Sequence, residues 1–141
     1  MLNFMNNNQI FKSDFFAQIP HIETEEKIDD YTIKYKTGVF DNDSELLPRT
    51  FFHLTYNNQL LGKALLEYFE GEFGLFCSTL LMFETEKEFR EMGFGKLLLQ
   101  FIEKKMKDYG FSRLYLSDTK SPEFWRKMKY DIDIDEGWKE L

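Results

Sequence analysis

The chain has 141 residues, 43% of them apolar and 18% aromatic, enough for one domain with its own core and too apolar for extended disorder. A single cysteine, Cys77, excludes an internal disulfide and any cysteine-based metal cluster. The formal net charge of −7 argues against a general nucleic-acid binder, although residues 87–129 hold 11 Lys and Arg against 6 Asp and Glu. One region is therefore anion-friendly within an acidic remainder, unless those cations are simply the solvated face of a helix. The longest apolar run, around GLFCSTLLMF, reaches only about half of a membrane span. Asparagines interrupt the opening MLNFMNNNQIFKSDFF before it could act as a secretory signal, so a soluble, cytoplasmic protein is expected.

In chain order, residues 1–30 carry no clear periodicity and are left as an N-terminal segment without an assigned element. YTIKYKTGVF (31–40) alternates and is rich in β-branched and aromatic residues, which predicts a strand. DNDSELLPR reads as a polar connection containing Pro48. TFFHLTY and QLLGKALLEYF then read as two strands joined by Asn57-Asn58, because asparagine tolerates the positive φ of a two-residue hairpin turn. FGLFCSTLLMF (73–83) is apolar on both parities, as a central buried strand requires.

Phe94, Leu97, Leu98, Phe101, Ile102, Met106 and Tyr109 recur at helical spacing, with Lys104, Lys105 and Lys107 on the other face and Gly110 as the stop. FSRLYLS (111–117) predicts a further strand, and Ser121-Pro122 opens a short helix over 121–130. YDIDID closes the pattern as an alternating strand, with Asp131, Asp133 and Asp135 on one face. The order β-β-β-β-α-β-α-β describes an antiparallel meander feeding a strand–helix–strand crossover.

Between the buried strand and the long helix lies Arg90-Glu91-Met92-Gly93-Phe94-Gly95-Lys96. The first N–H groups of a helix lack intrahelical partners, and its dipole places about half a positive charge there. Bare glycines at Gly93 and Gly95 would let a phosphate approach those groups, with Arg90 and Lys96 adding charge. The loop matches neither the three-glycine dinucleotide fingerprint nor the P-loop.

The spacing Arg-x-x-Gly-x-Gly, after a strand and before a Leu-rich helix, resembles motif A of the GNAT acyltransferase superfamily. FWRKMKY (Phe124–Tyr130), about 30 residues later, resembles that family's Phe-Tyr-x-Lys-x-Gly-Phe segment. Together the two matches cover Phe73–Tyr130, and the preceding hairpin fits the family's second and third strands. The resemblance implies an α/β fold in which a mixed, mostly antiparallel sheet with a splayed parallel strand pair is flanked by helices. It assigns residues 31–141 to one acyl-CoA N-acyltransferase-like domain. It implies acetyl-coenzyme A (acetyl-CoA) as co-substrate, without a metal, and an amine as acceptor.

Carried over position by position, Phe83, Glu84 and Thr85 would lie along the pantetheine arm. Arg90, Glu91, Met92, Gly93, Phe94, Gly95 and Lys96 would hold the pyrophosphate. Asp118 falls where the family often has an asparagine touching the arm, and Lys127 where a lysine approaches the phosphates. Trp125 stands where the family often has a tyrosine that protonates the departing thiolate, and an indole cannot do this. A thiol of pKa about 8.5 leaves tolerably without that help.

The base matters more, because an alkylamine of pKa about 10.4 is neutral in roughly one molecule in 2500 at pH 7, a cost near 4.6 kcal/mol. The family's usual base positions fall on Cys77, Thr79, Leu81 and Ser117, none of them a carboxylate or histidine. Glu84, Glu67, Glu70 and Tyr68 remain, with Glu84 first for its closeness to the pantetheine path. His53 and Cys77 read as structural.

The family usually ends in two more strands, whereas eleven residues follow Tyr130, enough for one strand and a stub. The acceptor cleft of this shortened end would then be open, or be completed by the N-terminal region or by a second subunit in a homodimer. The acidic remainder favours a cationic acceptor, a small molecule or a protein amine; neither membrane nor nucleic acid is an expected partner. The competing reading is a catalytically inactive acyl-CoA-binding or protein-interaction module on the same fold.

Overall fold

The computed structural model describes residues 23–42, 45–70, 76–86, 92–134 and 136–141. Among the described residues five strands come first: β1 (Thr24–Ile28), β2 (Tyr31–Asn42), β3 (Glu45–Tyr56), β4 (Gln59–Glu70) and β5 (Phe76–Thr85). Helix α1 (Phe94–Asp108), strand β6 (Arg113–Leu116), helix α2 (Pro122–Lys127) and strands β7 (Asp131–Ile132) and β8 (Gly137–Glu140) follow. They form one sheet in the order β1-β2-β3-β4-β5-β6-β8-β7. Only β5 and β6 are parallel; every other pair is antiparallel. This is the mixed, mostly antiparallel sheet expected, and its C-terminal strands are short.

Local chemistry explains the turns. Asn57 and Asn58 both take positive φ, 50° and 64°, so the β3–β4 hairpin closes in two residues and fixes the register of two long strands. At the end of α1, Gly110 sits at φ 93° and donates to the Lys107 carbonyl, while the Phe111 N–H reaches back to the Met106 carbonyl. These two bonds close the carbonyl end of the helix in the left-handed turn that glycine adopts without a Cβ penalty. Gly110→Ala is expected to lower stability by about 1 kcal/mol, read as a drop of several degrees in melting temperature.

Alternation along the strands gives the sheet one buried face. Ile33 and Tyr35 of β2, Phe52 and Leu54 of β3, and Ala64 and Leu66 of β4 point to one side. There they meet Leu98, Leu99, Phe101, Ile102 and Met106 of α1. Tyr35 stacks on Phe52 at 5.5 Å between ring centroids, and Phe101 meets both rings edge-on. Within this apolar layer, Tyr68 donates to Thr50, whose hydroxyl also bonds Thr37 at 2.5 Å.

Four expectations change. Strand β1 lies inside the stretch left without an element: its residues TEEKI are too charged to signal a strand. Tertiary contacts hold it, since Glu26 pairs with Lys105 of α1 at 2.7 Å and accepts the Tyr35 hydroxyl. Burial raises the Glu26 pKa, but the bonds from Lys105 and Tyr35 outweigh it and hold the carboxyl below its usual value.

Most of DNDSELLPR is strand and not a connection, because β2 and β3 stay in register out to Asn42 and Glu45; Asp43 and Ser44 lie outside the described residues. Pro48 is tolerated there because pairing of β3 with β4 stops at Arg49, so its missing N–H costs no second ladder. Ser121 precedes α2 in a left-handed conformation, φ 60°, and its side chain makes no cap bond. YDIDID yields only β7: Asp133 bonds the Ile134 N–H and pairs its own N–H with the Glu136 carbonyl, turning the chain back. The eleven residues after Tyr130 therefore hold two short strands, not one strand and a stub. Asp135 lies outside the described residues.

This C-terminal hairpin is tied to α1 through Glu103. That carboxylate accepts the Tyr130 hydroxyl at 2.7 Å and Lys139 at 3.2 Å, and Lys139 also reaches the Met128 carbonyl.

Candidate active site

The parallel pair β5–β6 is in register only from Cys77↔Arg113 to Leu80↔Leu116. Beyond it β5 runs on to Thr85, still paired with β4, while β6 ends and its chain turns away. Two features make the fork. Leu81 is an extra residue in β5, since Leu66 faces Leu80 and Leu65 faces Met82, and such a bulge bends the strand that carries it. Ser117 pins the crotch: its N–H donates to the Leu80 carbonyl at 3.2 Å, and its hydroxyl reaches the carbonyls of Leu80 (3.1 Å) and Leu81 (3.3 Å). Ser117 stands at one of the family's base positions, but in the structure its hydroxyl proton is engaged in holding the fork.

Phe83, Glu84 and Thr85 are the last residues of β5 on the open side of the fork. Phe83 is half-buried and lies 5.9 Å from Phe124 and 5.4 Å from Trp125 of α2, ring to ring. Glu84 is exposed on the opposite face, 3.7 Å from Lys63 of β4. Thr85 faces the first turn of α1, because a Cβ built on Gly95 would lie 3.4 Å from its Oγ1.

The start of α1 meets the same opening. Gly93 takes the N-cap position at φ 86°; among the described residues no side chain caps the helix, and its first turn contains no acidic residue. A Cβ built on Gly93 would find nothing within 4 Å among the described residues, so none of them fills the space beside this tip. The two glycines therefore differ: Gly93 supplies a left-handed turn and an open approach, while bare Gly95 lets Thr85 and Phe124 close in on the helix. Met92 and Lys96 are exposed, and Phe94 is half-buried. Arg90 and Glu91 lie outside the described residues.

Across the fork, Asp118 follows β6, exposed, and accepts the Lys120 N–H at 2.8 Å. Lys127 is exposed at the end of α2. Trp125 is buried, and its indole N–H donates to the Lys120 carbonyl at 3.1 Å, so it braces the Asp118–Lys120 loop from behind.

The remaining titratable candidates separate by face. Tyr68 is fully buried beneath α1, where desolvation pushes its pKa up, and its proton goes to Thr50. Burial likewise pushes the Cys77 thiol up, partly offset by Arg113. Glu70 is exposed at the end of β4. Glu67 stands opposite Thr79, half-buried, with Arg49 bound to its Oε2 at 2.6 and 2.7 Å. Sequence spacing gave no sign of the Arg49–Glu67 pair, because partners 18 residues apart meet only through the hairpin register. Among the described residues no group of three His, Cys, Asp or Glu could hold a metal ion, and no helix is long and apolar enough to cross a membrane.

The model of the acetyltransferase (GNAT) family matches residues 8–130. No curated protein matches the chain in sequence. Solved structures share its fold at low identity. Naa50 of Arabidopsis thaliana, in complex with the bisubstrate analogue CoA-Ac-MVNAL, is 16% identical with a TM-score of 0.53, over 64% of this chain and 72% of that one. YlbP of Bacillus subtilis, an N-acetyltransferase in complex with coenzyme A, is 18% identical with a TM-score of 0.53, over 70% of each chain. The PaiA N-acetyltransferase of Thermoplasma acidophilum, also with coenzyme A, is 22% identical with a TM-score of 0.52, over 64% of this chain and 60% of that one. With the family model spanning most of its length and acetyltransferases sharing its fold, the chain belongs to the acetyltransferase (GNAT) family.

Proposed function

We propose that this protein is an acetyl-CoA-dependent N-acetyltransferase that transfers acetyl directly from the thioester to a primary amine of a cationic small molecule or a protein. One observation carries the reading. The β5–β6 pairing stops at Leu80↔Leu116 while β5 runs on to Thr85, and Thr85 lies beside the first turn of α1, which starts at left-handed Gly93 without an acidic residue. That combination suits a long amide-bearing arm with a pyrophosphate at its end, and structural neighbours solved with coenzyme A support the donor.

In this reading the backbone of Phe83, Glu84 and Thr85 pairs with the arm as an added strand would. Arg90 through Lys96 hold the pyrophosphate, with Lys127 and Asp118 on the far wall and Trp125 behind it. The amine nitrogen attacks the thioester carbon, a backbone N–H of β5 steadies the oxyanion, and collapse expels the thiolate, which takes up the second proton that the nitrogen sheds as the amide forms. The ammonium proton must leave before attack; Glu84 is the proposed acceptor of that proton. The thiolate departs without a protein acid, since Trp125 stands at the acid position and an indole does not give up its proton; the bond of its N–H to the Lys120 carbonyl gives it a packing role instead. The empty acid position also favours the second reading, an inactive acyl-CoA-binding module. A single cysteine, Cys77, fits a cytoplasmic protein, and a homodimer would be one way to close the acceptor side.

A thiol-reactive dye with acetyl-CoA and a panel of amines and peptides, at pH 7 and pH 9, tests the reading. Thiol release that requires both protein and amine is expected, and should be faster at pH 9 because more amine is neutral. Saturable acetyl-CoA binding with no release at either pH would instead identify the inactive module.

A further inference from the structure

The sheet face turned away from α1 carries a pattern that coenzyme binding leaves unused. Directly opposed residues of antiparallel strands share a face, so the register lays out rows across β2 to β5. The middle row is Lys36, Phe51, Leu65 and Met82, and it ends beside the Leu81 bulge at the mouth of the fork. Charged rows border it: Lys34, His53, Lys63 and Glu84 on one side, and Arg49 and Glu67 on the other. Along these borders Lys63 lies 3.7 Å from Glu84 and Arg49 lies 2.6 Å from Glu67. Leu65 and Met82 are thus an apolar lane between two ion pairs.

At its far end the lane opens into a cavity of about 330 Å³, lined by Glu23, Lys34, Lys36, Gly38, Phe51 and His53. Lys34 is shared with Glu25 at 3.6 Å. Among the described residues, Lys36 and His53 make no hydrogen bond or ion pair, and both are exposed. Two uncommitted nitrogen donors and an aromatic wall in a concavity are complementary to an anion on an apolar stem.

We infer that the amine acceptor lies along this lane and is amphoteric: an extended primary amine whose apolar body crosses Leu65 and Phe51 and whose anionic group enters the cavity between Lys36 and His53. The inference rests on the acetyl-transfer reading for the position of the amine, at Met82, and it narrows the acceptor class. Adjacent strands are about 4.8 Å apart, so the cavity over β3 and β2 lies about 10–14 Å from β5. An extended peptide covers that distance in three to four residues at about 3.3–3.6 Å each. A carboxylate on the third or fourth residue from a free amine would therefore reach the cavity.

The test uses the full chain saturated with coenzyme A and fluorescent peptides with a free amine and apolar second and third residues. The fourth position carries glutamate, glutamine or lysine, and a control moves the glutamate to the eighth. The glutamate-four peptide is expected to bind at least tenfold more tightly than the glutamine and eighth-position peptides. In Lys36→Glu the order should reverse in favour of the lysine peptide, a change in ratio that general damage to the fold would not produce. His53→Asn should reduce the preference, and it serves where Lys36→Glu fails to bind acetyl-CoA. Equal affinity for the peptides, or a preference untouched by either substitution, overturns the proposal. Thiol release from acetyl-CoA with the same peptides separates the two readings. Acid-selective binding without release leaves the lane standing and defeats the acetyl-transfer reading; release without acid preference does the reverse.

Discussion

Phe52→Ala is expected to destabilise the protein by about 3–5 kcal/mol, the range for emptying an aromatic site in a packed core. Phe52 is 1% exposed and stands between the sheet and α1, stacked on Tyr35 with its ring centre 5.5 Å away and met edge-on by Phe101 at 6.3 Å. Helix α1 rests on the sheet and cannot move inward without unseating Leu98, Leu99 and Ile102, so the vacated volume persists as a cavity. Against a total stability of roughly 5–15 kcal/mol, one such change consumes much of the margin. The neighbouring Phe51→Ala provides the internal comparison: that ring is 38% exposed on the other face, and about 1 kcal/mol is expected. Urea unfolding of both variants checks the pair. Equal losses would mean that the face away from α1 is packed as firmly as the core, which would also close the lane proposed for the acceptor.

The same two phenylalanines show what could be read from the sequence and what could not. Alternation in TFFHLTY marks a strand with two faces, the Asn57-Asn58 turn sets the hairpin, and the stripe of α1 with Gly110 sets the helix and its end. These signals are local, and they survive into the structure. Strand β1 was illegible because TEEKI owes its place to Lys105 and Tyr35, far away in sequence.

The same holds for β8. GWKE is short and charged, and its fit depends on bare Gly137, where a Cβ would come within 2.7 Å of Ile132 and 2.8 Å of Leu116. Turn-forming residues in DNDSELLPR read as a loop, but backbone pairing extends to Asn42 on one side and Glu45 on the other once the flanking strands are in register. In the candidate site, the glycine loop was visible as a motif. The Leu81 bulge, the Ser117 pin and the rows of side chains across β2–β5 follow from register alone. No linear spacing encodes them.

Gly93→Glu is expected to weaken acetyl-CoA binding at least 100-fold, about 2.7 kcal/mol, and this is the sharpest test of where the pyrophosphate sits. Among the described residues no atom lies within 4 Å of the Gly93 Cβ position, so none of them pushes the new carboxylate aside. It would occupy the tip of α1, whose first turn holds no acid and whose cap uses no side chain. There the helix dipole favours it for the reason that it would favour a phosphate, so the carboxylate competes for the same N–H groups and repels the incoming charge.

Gly93→Ala separates charge from backbone. Its methyl group also fits, and its cost is the φ of 86°, about 1–2 kcal/mol for an L-residue, which falls on stability. Less than a tenfold loss of affinity is expected for it. Titration of acetyl-CoA against both variants, with melting temperatures alongside, distinguishes the outcomes. A Gly93→Glu protein that binds within threefold of the parent would place the pyrophosphate somewhere other than this helix tip, and would remove the anchor on which the reaction geometry depends.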